Sequence, residues 1–220
     1  MWQALNDDLR ALNFKVLAVA LDTTDAARPW IEAAGAQTTA LLDPEHRLAA
    51  PYNFVNVPEA AWIDETGRIV RPPETAGAYE AFRYRDARTG APPADEAAKR
   101  DRARQVYYDA VRDWARLGAA SRFAMTEAEA RAHIARPSAA SAEAHVRFRI
   151  GVELLAQGRE AEAAERFAEA SRLHPDSWAI WRQAAPRNAQ GFAADDSFWT
   201  RVAALGDRRY YPPPPMPGMP

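Results

Sequence analysis

The sequence contains no cysteine among its 220 residues. This absence excludes disulfide bonds, thiolate metal sites, iron–sulfur clusters and cysteine nucleophiles from the chain. Long apolar runs are also missing, since no stretch approaches the roughly 18 consecutive apolar residues of a membrane-spanning helix. The amino terminus carries Asp7 and Asp8 in place of the basic start and apolar run of a secretory signal. The sequence therefore predicts a cytoplasmic protein that does not engage a membrane.

An excess of positive charge is lacking too, because the formal net charge is -2. No overall positive field exists to attract nucleic acid, so we expect no nucleic-acid partner. A glycine-rich phosphate loop and a G-x-S-x-G turn are both absent, which leaves nucleotide binding and serine hydrolysis without support. The four histidines are His46, His133, His145 and His174. Their spacing contains no paired metal-binding motif, and we predict neither a metal site nor a cofactor.

The first 75 residues show the pattern of an α/β fold. The segment KVLAVALD is almost continuously apolar, which is typical of a strand buried on both faces of a parallel sheet. Further on, the turn residues Asp64 to Gly67 separate two short apolar segments, as in a β-hairpin. A parallel βαβ unit followed by a hairpin predicts a mixed sheet. The predicted bounds are strand 15–22, helix 23–35, strand 38–42, helix 44–50 and hairpin strands 60–64 and 68–71.

Three acidic residues, Asp43, Glu45 and Asp64, could be read as an acid/base set. However, Asp43 precedes a predicted helix and Asp64 starts the hairpin turn, and both positions favour an acidic residue for structural reasons. We therefore assign no catalytic residue.

The second half of the chain is predominantly helical. Proline and glycine are concentrated at 72–93, which predicts a loop that includes Pro72 and Pro73. We interpret residues 76–93 as a linker between residues 1–75 and a helical domain at 94–206. Residues 94–117 form a long helix candidate, and Thr126 with Glu129 has the spacing of a capping box. Residues 207–220 form a proline-rich tail of polyproline II type. It is either a ligand for an aromatic groove or a disordered or surface-draped terminus.

The segments LNFKVLAVALD, DAARPWIEAAG and LLDPEHRLAAPYNFVNVPEAAWIDETGRIV resemble the later part of a thioredoxin-fold redoxin, the group that includes ResA/TlpA-like thiol oxidoreductases and AhpC/TSA peroxiredoxins. The VNVP motif and the hairpin after it are the most specific part. In that family, the proline that matches Pro58 sits beside the redox cysteines, and the backbone before it can pair with a thiol substrate. The resemblance thus implies a substrate cleft at Val57 and Pro58.

The sequence departs from the family at its catalytic segment. The first strand of a redoxin and its cysteine motif have no counterpart, so the resemblance implies an N-terminally incomplete thioredoxin-like domain. In the family, that strand lies between the strands matching 15–21 and 60–63, and its loss would leave a sheet edge open. Three explanations remain: a reading frame that was started late or cut short, a degenerate domain, or a strand donated by another chain. Self-association through the open edge is a further expectation.

Residues 144–177 resemble one tetratricopeptide repeat, a 34-residue helix–turn–helix unit. Small residues stand where two helices must approach closely, at Gly151, Ala163 and Ala170, and Phe167 is expected to fill the space between the helices. Such a unit needs neighbours, and we expect the helices at 94–117 and 126–135 to pack against it. A protein or peptide partner is expected on its free face. The residues predicted for this face are His145, Phe148, Val152 and Leu155.

Together these features predict an α/β, incomplete thioredoxin-like domain followed by an all-α, tetratricopeptide-like domain. The resemblance implies a thiol–disulfide oxidoreductase or a peroxidase-like protein, which is catalytically silent as encoded because a thiolate is missing. The alternative is a non-enzymatic module that binds other proteins through its helices.

Overall fold

The computed structural model describes residues 2–86, 88–188 and 192–220. It divides into two compact units, each built from two separate stretches of chain. The first unit combines Met1–Val57 with Ala135–Ala185, and the second combines Pro58–Ile134 with Pro186–Pro220. This grouping differs from the expected division at 76–93, because the β-hairpin groups with the helices that follow it and the amino-terminal stretch groups with a later helical hairpin.

The amino-terminal stretch of the first unit has the expected βαβα order. Strands β1 and β2 pair in parallel, with Leu17 opposite Thr39 and Ala20 opposite Leu42. The pairing confirms the predicted parallel unit. The elements are α1 (Trp2–Leu9), β1 (Leu17–Ala20), α2 (Thr24–Ala33), β2 (Thr39–Leu42) and α3 (Ala49–Tyr52).

Helix α3 begins later than the predicted helix at 44–50. The Asp43 carboxylate accepts hydrogen bonds from the backbone N–H groups of Arg47, Leu48 and Ala49, at 2.6, 3.0 and 2.9 Å. His46 between them has the left-handed backbone, with φ of 55°. A left-handed residue interrupts an α-helix, so residues 44–48 form a capped loop instead. The structural role predicted for Asp43 is confirmed.

A helical hairpin completes the first unit. Helix α6 (Ala139–Ala156) and helix α7 (Glu160–Leu173) are joined by a short turn at Gly158, and α8 (Trp178–Ala184) follows. Gly151 faces the ring of Phe167 so closely that an added Cβ would lie 2.7 Å from its Cε1. Ala163, Phe167 and Ala170 are buried, as expected. The hairpin and its contact residues are therefore observed, while the assignment to the tetratricopeptide family stays a prediction.

The amino-terminal stretch and the helices of this unit are directly hydrogen-bonded. The Ala179 N–H donates to the Val55 carbonyl at 2.9 Å, and the side-chain amide of Gln183 donates to the Leu21 carbonyl. The expected neighbours of the hairpin, α4 (Ala94–Leu117) and α5 (Glu127–His133), belong to the other unit.

The second unit is built on an antiparallel hairpin, β3 (Glu59–Ile63) and β4 (Ile69–Thr75), which confirms the two predicted strands. Strand β4 extends through two prolines that we expected in a loop, as an edge strand tolerates. In this unit, the Trp62 indole N–H donates to the Tyr107 hydroxyl of α4 at 2.9 Å. The Arg71 guanidinium forms a two-pronged buried pair with Glu74 and also donates to the Phe123 carbonyl.

The expected mixed sheet is not formed within the described ranges. Strand ladders there join β1 only to β2 and β3 only to β4, which leaves two separate two-stranded sheets. In the redoxin resemblance a further strand lies between the counterparts of β1 and β3. No described segment fills that position in either sheet.

The proline-rich tail packs against its own unit. Tyr210 has a buried side chain, and its backbone N–H donates to the Glu80 carboxylate at 2.6 Å. The Arg83 guanidinium donates to the carbonyls of Gly206 and Arg208, at 2.8 and 2.9 Å. Of the two alternatives considered for this tail, the structure shows a terminus draped over its own domain.

Helices in the described part of the chain are either too short or too polar to cross a membrane. The cytoplasmic location stays a prediction.

Candidate functional site

The two residues of the cleft implied by resemblance belong to different units. Val57 is the last residue of the first unit, is exposed, and donates its N–H to the Asn56 side chain at 2.9 Å. Pro58 opens the second unit, and its carbonyl accepts a hydrogen bond from the Ala76 N–H at 3.1 Å. Since the chain contains no cysteine, it supplies no thiol beside which these two residues could bind a substrate. Their role in binding a substrate stays a prediction.

The face of α6 predicted to bind a partner is only partly accessible. His145 and Phe148 are buried inside the first unit, Val152 is half-buried, and Leu155 is exposed. The cause is the amino-terminal stretch, whose His46 ring covers Phe148. In this conformation the first two residues therefore contact the chain itself and are not available to another protein.

Phe148 is instead part of a histidine cluster that spacing does not reveal. The His46 ring stacks on the Phe148 ring, with centroids 4.2 Å apart and planes inclined by 24°. The ring centroid of His145 lies 6.1 Å from that of His46 and 6.0 Å from that of His174, and both pairs are arranged edge to face. We call His46, His145 and His174 the histidine cluster. It joins the loop before α3, helix α6 and the end of α7.

Four of the six ring nitrogens of this cluster are buried without a hydrogen-bond partner among the described residues. His46 has no exposed surface, and both of its ring nitrogens lack a partner among the described residues. The same holds for Nδ1 of His145 and Nε2 of His174. An unpaired buried polar group costs about 1–3 kcal/mol, so such groups are rare in folded proteins and call for an explanation.

Burial sets the protonation state of the cluster. It lowers the pKa of His46 to about 4, with an added contribution from His145 and an opposing one from Asp43. Burial likewise lowers the pKa of His145 to about 4, helped by His174 and Arg149 and opposed by Asp43. The pKa of His174 is lowered by burial as well, against the attraction of Asp176. All three rings are therefore neutral at neutral pH.

This arrangement was missed at the sequence level, because its members are 99 and 29 residues apart, from His46 to His145 and from His145 to His174. Only the packing of the loop before α3 onto α6 brings them together. The structure offers no grouping of three or more histidine, aspartate or glutamate side chains suited to a metal ion in the ranges it describes. In this conformation the three rings are therefore not arranged as a ligand set.

The remaining predicted acidic residue has a structural role. The Asp64 carboxylate accepts hydrogen bonds from the Thr66 and Arg68 N–H groups, both at 3.0 Å, inside the turn of the β3–β4 hairpin. The Thr66 hydroxyl donates to the same oxygen, and these bonds lower the pKa of Asp64. This confirms the prediction that Asp64 shapes the turn.

Comparison with known families supports the resemblance seen in the amino-terminal sequence. Residues 1–71 match the AhpC/TSA family. The match covers the first-unit elements α1 to α3 and continues into the β3–β4 hairpin of the second unit. The amino-terminal third of the chain is thus redoxin-like. Searches of curated proteins and of solved structures found no match.

Proposed function

We propose that this chain is a redoxin-like protein that performs no thiol chemistry with its own residues. The observation that carries the proposal is a match to a thiol-based family in a sequence of 220 residues without one cysteine. Reduction of a disulfide or a peroxide by this family requires a thiolate as the nucleophile. No other side chain in the described site replaces it, since the histidine cluster is buried and neutral.

Because the chain has no cysteine, a reagent that alkylates thiols can separate its activity from that of contaminating enzymes. The purified protein is assayed for insulin reduction and for peroxide consumption, before and after treatment with iodoacetamide. A contaminating thioredoxin or peroxiredoxin is inactivated by alkylation, whereas this chain has no thiol to alkylate. We expect no activity above buffer that survives alkylation. Turnover that survives it and co-elutes with the protein would show a non-thiol activity and overturn the proposal.

A second candidate function, protein binding, is favoured by the exposed sheet of the first unit. Parallel sheets are normally covered on both faces, and a two-stranded sheet is marginally stable alone. Here the Leu17 side chain is 59% exposed, and Leu41 and Leu42 are also exposed. The second edge of β1 has no strand partner within the described ranges. Such an edge is a template for another strand.

We propose a second copy of this chain as the occupant of that edge. Lys15 precedes β1 and Asp22 follows it, so one end of the strand is positive and the other negative. Antiparallel pairing of two β1 strands sets the positive end of each beside the negative end of the other. It also brings the exposed Leu17 side chain of each strand beside the side chains of its partner. The result is a four-stranded sheet with the order β2, β1, β1, β2.

Sedimentation at several protein concentrations tests this interface. We expect the mass to exceed the 24.4 kDa of one chain, and Leu17→Lys to restore the monomer. Leu117→Lys is the matched control, because Leu117 is similarly exposed but lies at the end of α4. A wild-type protein that stays monomeric at all concentrations would refute the interface.

A third variant examines the helical face. Val146 and Ile150 are 48% and 43% exposed and lie one turn apart on α6. If Ile150→Glu dissociates the copies and Leu17→Lys does not, the association occurs through α6 and the proposal for β1 fails. The binding of a peptide by this helix would then become the preferred function.

A further inference from the structure

The histidine cluster lies at the contact between two parts of one unit. His46 belongs to the amino-terminal stretch, whereas His145 and His174 belong to the helical hairpin. The described contacts between the two parts include a stacked His46–Phe148 pair, a backbone hydrogen bond from Ala179 to Val55 and a hydrogen bond from the Gln183 amide to Leu21. A change in the charge of the cluster therefore acts directly on the joint between the stretch and the hairpin.

We propose that the histidine cluster is an acid-sensitive latch, which holds residues 1–57 on the α6–α7 hairpin at neutral pH and releases them when the rings take up protons. Two positive imidazolium rings with centroids about 6 Å apart repel each other. Each protonated ring also needs hydrogen-bond acceptors, and the buried nitrogens have none. When the joint opens, water reaches the rings. It screens their repulsion and accepts their hydrogen bonds.

The charged groups around the cluster do not neutralise it. Asp43 faces His46 and His145 from the loop before α3, Arg149 faces His145 from α6, and Asp176 faces His174 from the segment after α7. Asp43 already accepts three backbone hydrogen bonds. Arg149 adds positive charge. The negative charges are therefore those of Asp43, whose carboxylate is already hydrogen-bonded, and Asp176. They face up to three positive rings and the Arg149 guanidinium.

The direction of the pH effect follows from linkage. At about pH 7.5 and above, the rings are neutral in both the folded and the open protein, so the latch has its full strength. As the pH falls toward the lowered value of about 4, the open protein takes up protons that the folded protein refuses. For each of His46 and His145, this raises the unfolding equilibrium constant by about 70-fold between about pH 7.5 and about pH 4.5, toward a limit of about 300-fold in stronger acid. The latch is thus weakened progressively by acid.

The experiment measures unfolding of the full chain in urea between about pH 7.5 and about pH 4.5. Hydrogen exchange of residues 43–57, corrected for its intrinsic pH dependence, reports the joint separately. In the wild type, we expect protection of this segment to be lost before that of the second unit. The variants are His46→Asn, which tolerates the left-handed backbone, and His145→Phe, which keeps an aromatic ring in α6. Each should reduce the change in the unfolding equilibrium constant between these two pH values by about 70-fold.

The fourth histidine provides the matched control. His133 lies in α5, outside the cluster, and its Nδ1 is hydrogen-bonded to the Glu129 carbonyl at 2.8 Å. His133→Gln should leave the profile unchanged. If neither cluster variant folds, the proposal is tested on the wild type alone. NMR titration of its imidazole resonances measures the pKa of each cluster ring in the folded protein.

Three results would overturn the latch. The first is titration of the cluster rings near their ordinary pKa in the folded protein. The second is a pH profile that neither cluster variant alters. The third is stabilisation by Zn²⁺ at neutral pH that disappears in His46→Asn, since the cluster would then be a ligand set for a metal. None of these results depends on the redox or association assays, so this inference stands or fails separately from the proposed function.

Discussion

Removal of the Phe167 ring should destabilise the first unit substantially. Phe167 is 5% exposed, lies against Gly151 of α6, and has its ring centroid 5.6 Å from that of Phe148. Truncation of a buried phenylalanine to alanine costs about 3–5 kcal/mol, because apolar contacts are lost and a cavity remains. We expect Phe167→Ala to fall in this range. Ala168→Gly, at an exposed position of the same helix, should cost only about 1 kcal/mol through helix propensity.

The same contact predicts a reversal of sign at Gly151. In the wild type, Gly151→Ala places a Cβ 2.7 Å from the Phe167 ring, and such overpacking costs about 1–3 kcal/mol. In the Phe167→Ala background that obstacle is gone, and alanine is then favoured over glycine in a helix by up to about 1 kcal/mol. The four proteins form a double-mutant cycle.

Urea unfolding measures the cycle, and hydrogen exchange of α6 and α7 assigns the effect to this unit. A loss below about 1 kcal/mol in Phe167→Ala would show that the ring is not packed between the helices. Equal effects of Gly151→Ala in both backgrounds would show that the glycine is not required by the ring. Either result would refute the hairpin packing described above.

One hydrogen bond in each unit is tested by a further substitution with its own control. Tyr107→Phe leaves the Trp62 indole N–H without its acceptor and should cost about 1–3 kcal/mol in urea unfolding, whereas the exposed Tyr84→Phe should change stability by less than about 0.5 kcal/mol. Ser177→Ala removes the side-chain cap of α8, whose hydroxyl accepts the Ile180 N–H at 3.2 Å, and should lower stability by about 0.5–2 kcal/mol. Ser177→Gly should cost only a few tenths. A loss below a few tenths of a kcal/mol in Ser177→Ala would show that the cap is unimportant.

Local features of the chain could be predicted because their causes are local. Apolar runs located the strands around Leu17 and Thr39, and turn chemistry located the hairpin at Asp64. The Thr126 and Glu129 spacing predicted a capping box that the structure contains. The long helix at 94–117 has the predicted bounds.

The candidate sites could not be predicted in the same way. A helical pattern shows which residues share a face, and His145 and Phe148 do share one with Leu155. It does not show what covers that face. The loop around His46 covers it, and nothing near His46 in the sequence indicates a contact with a residue 99 positions away.

The sequence by itself determined the kind of elements, the redoxin-like character of the first third and the absence of a thiolate, because these depend on residue identity and on neighbours within a few positions. Only the tertiary structure decided how the elements group into units and which faces they bury. It joined the amino-terminal stretch to the α6–α7 hairpin, and it packed the proline-rich tail onto its own unit. Such long-range packing depends on the complementary shapes of whole surfaces, so it created the buried histidine cluster from residues that are ordinary when read one at a time.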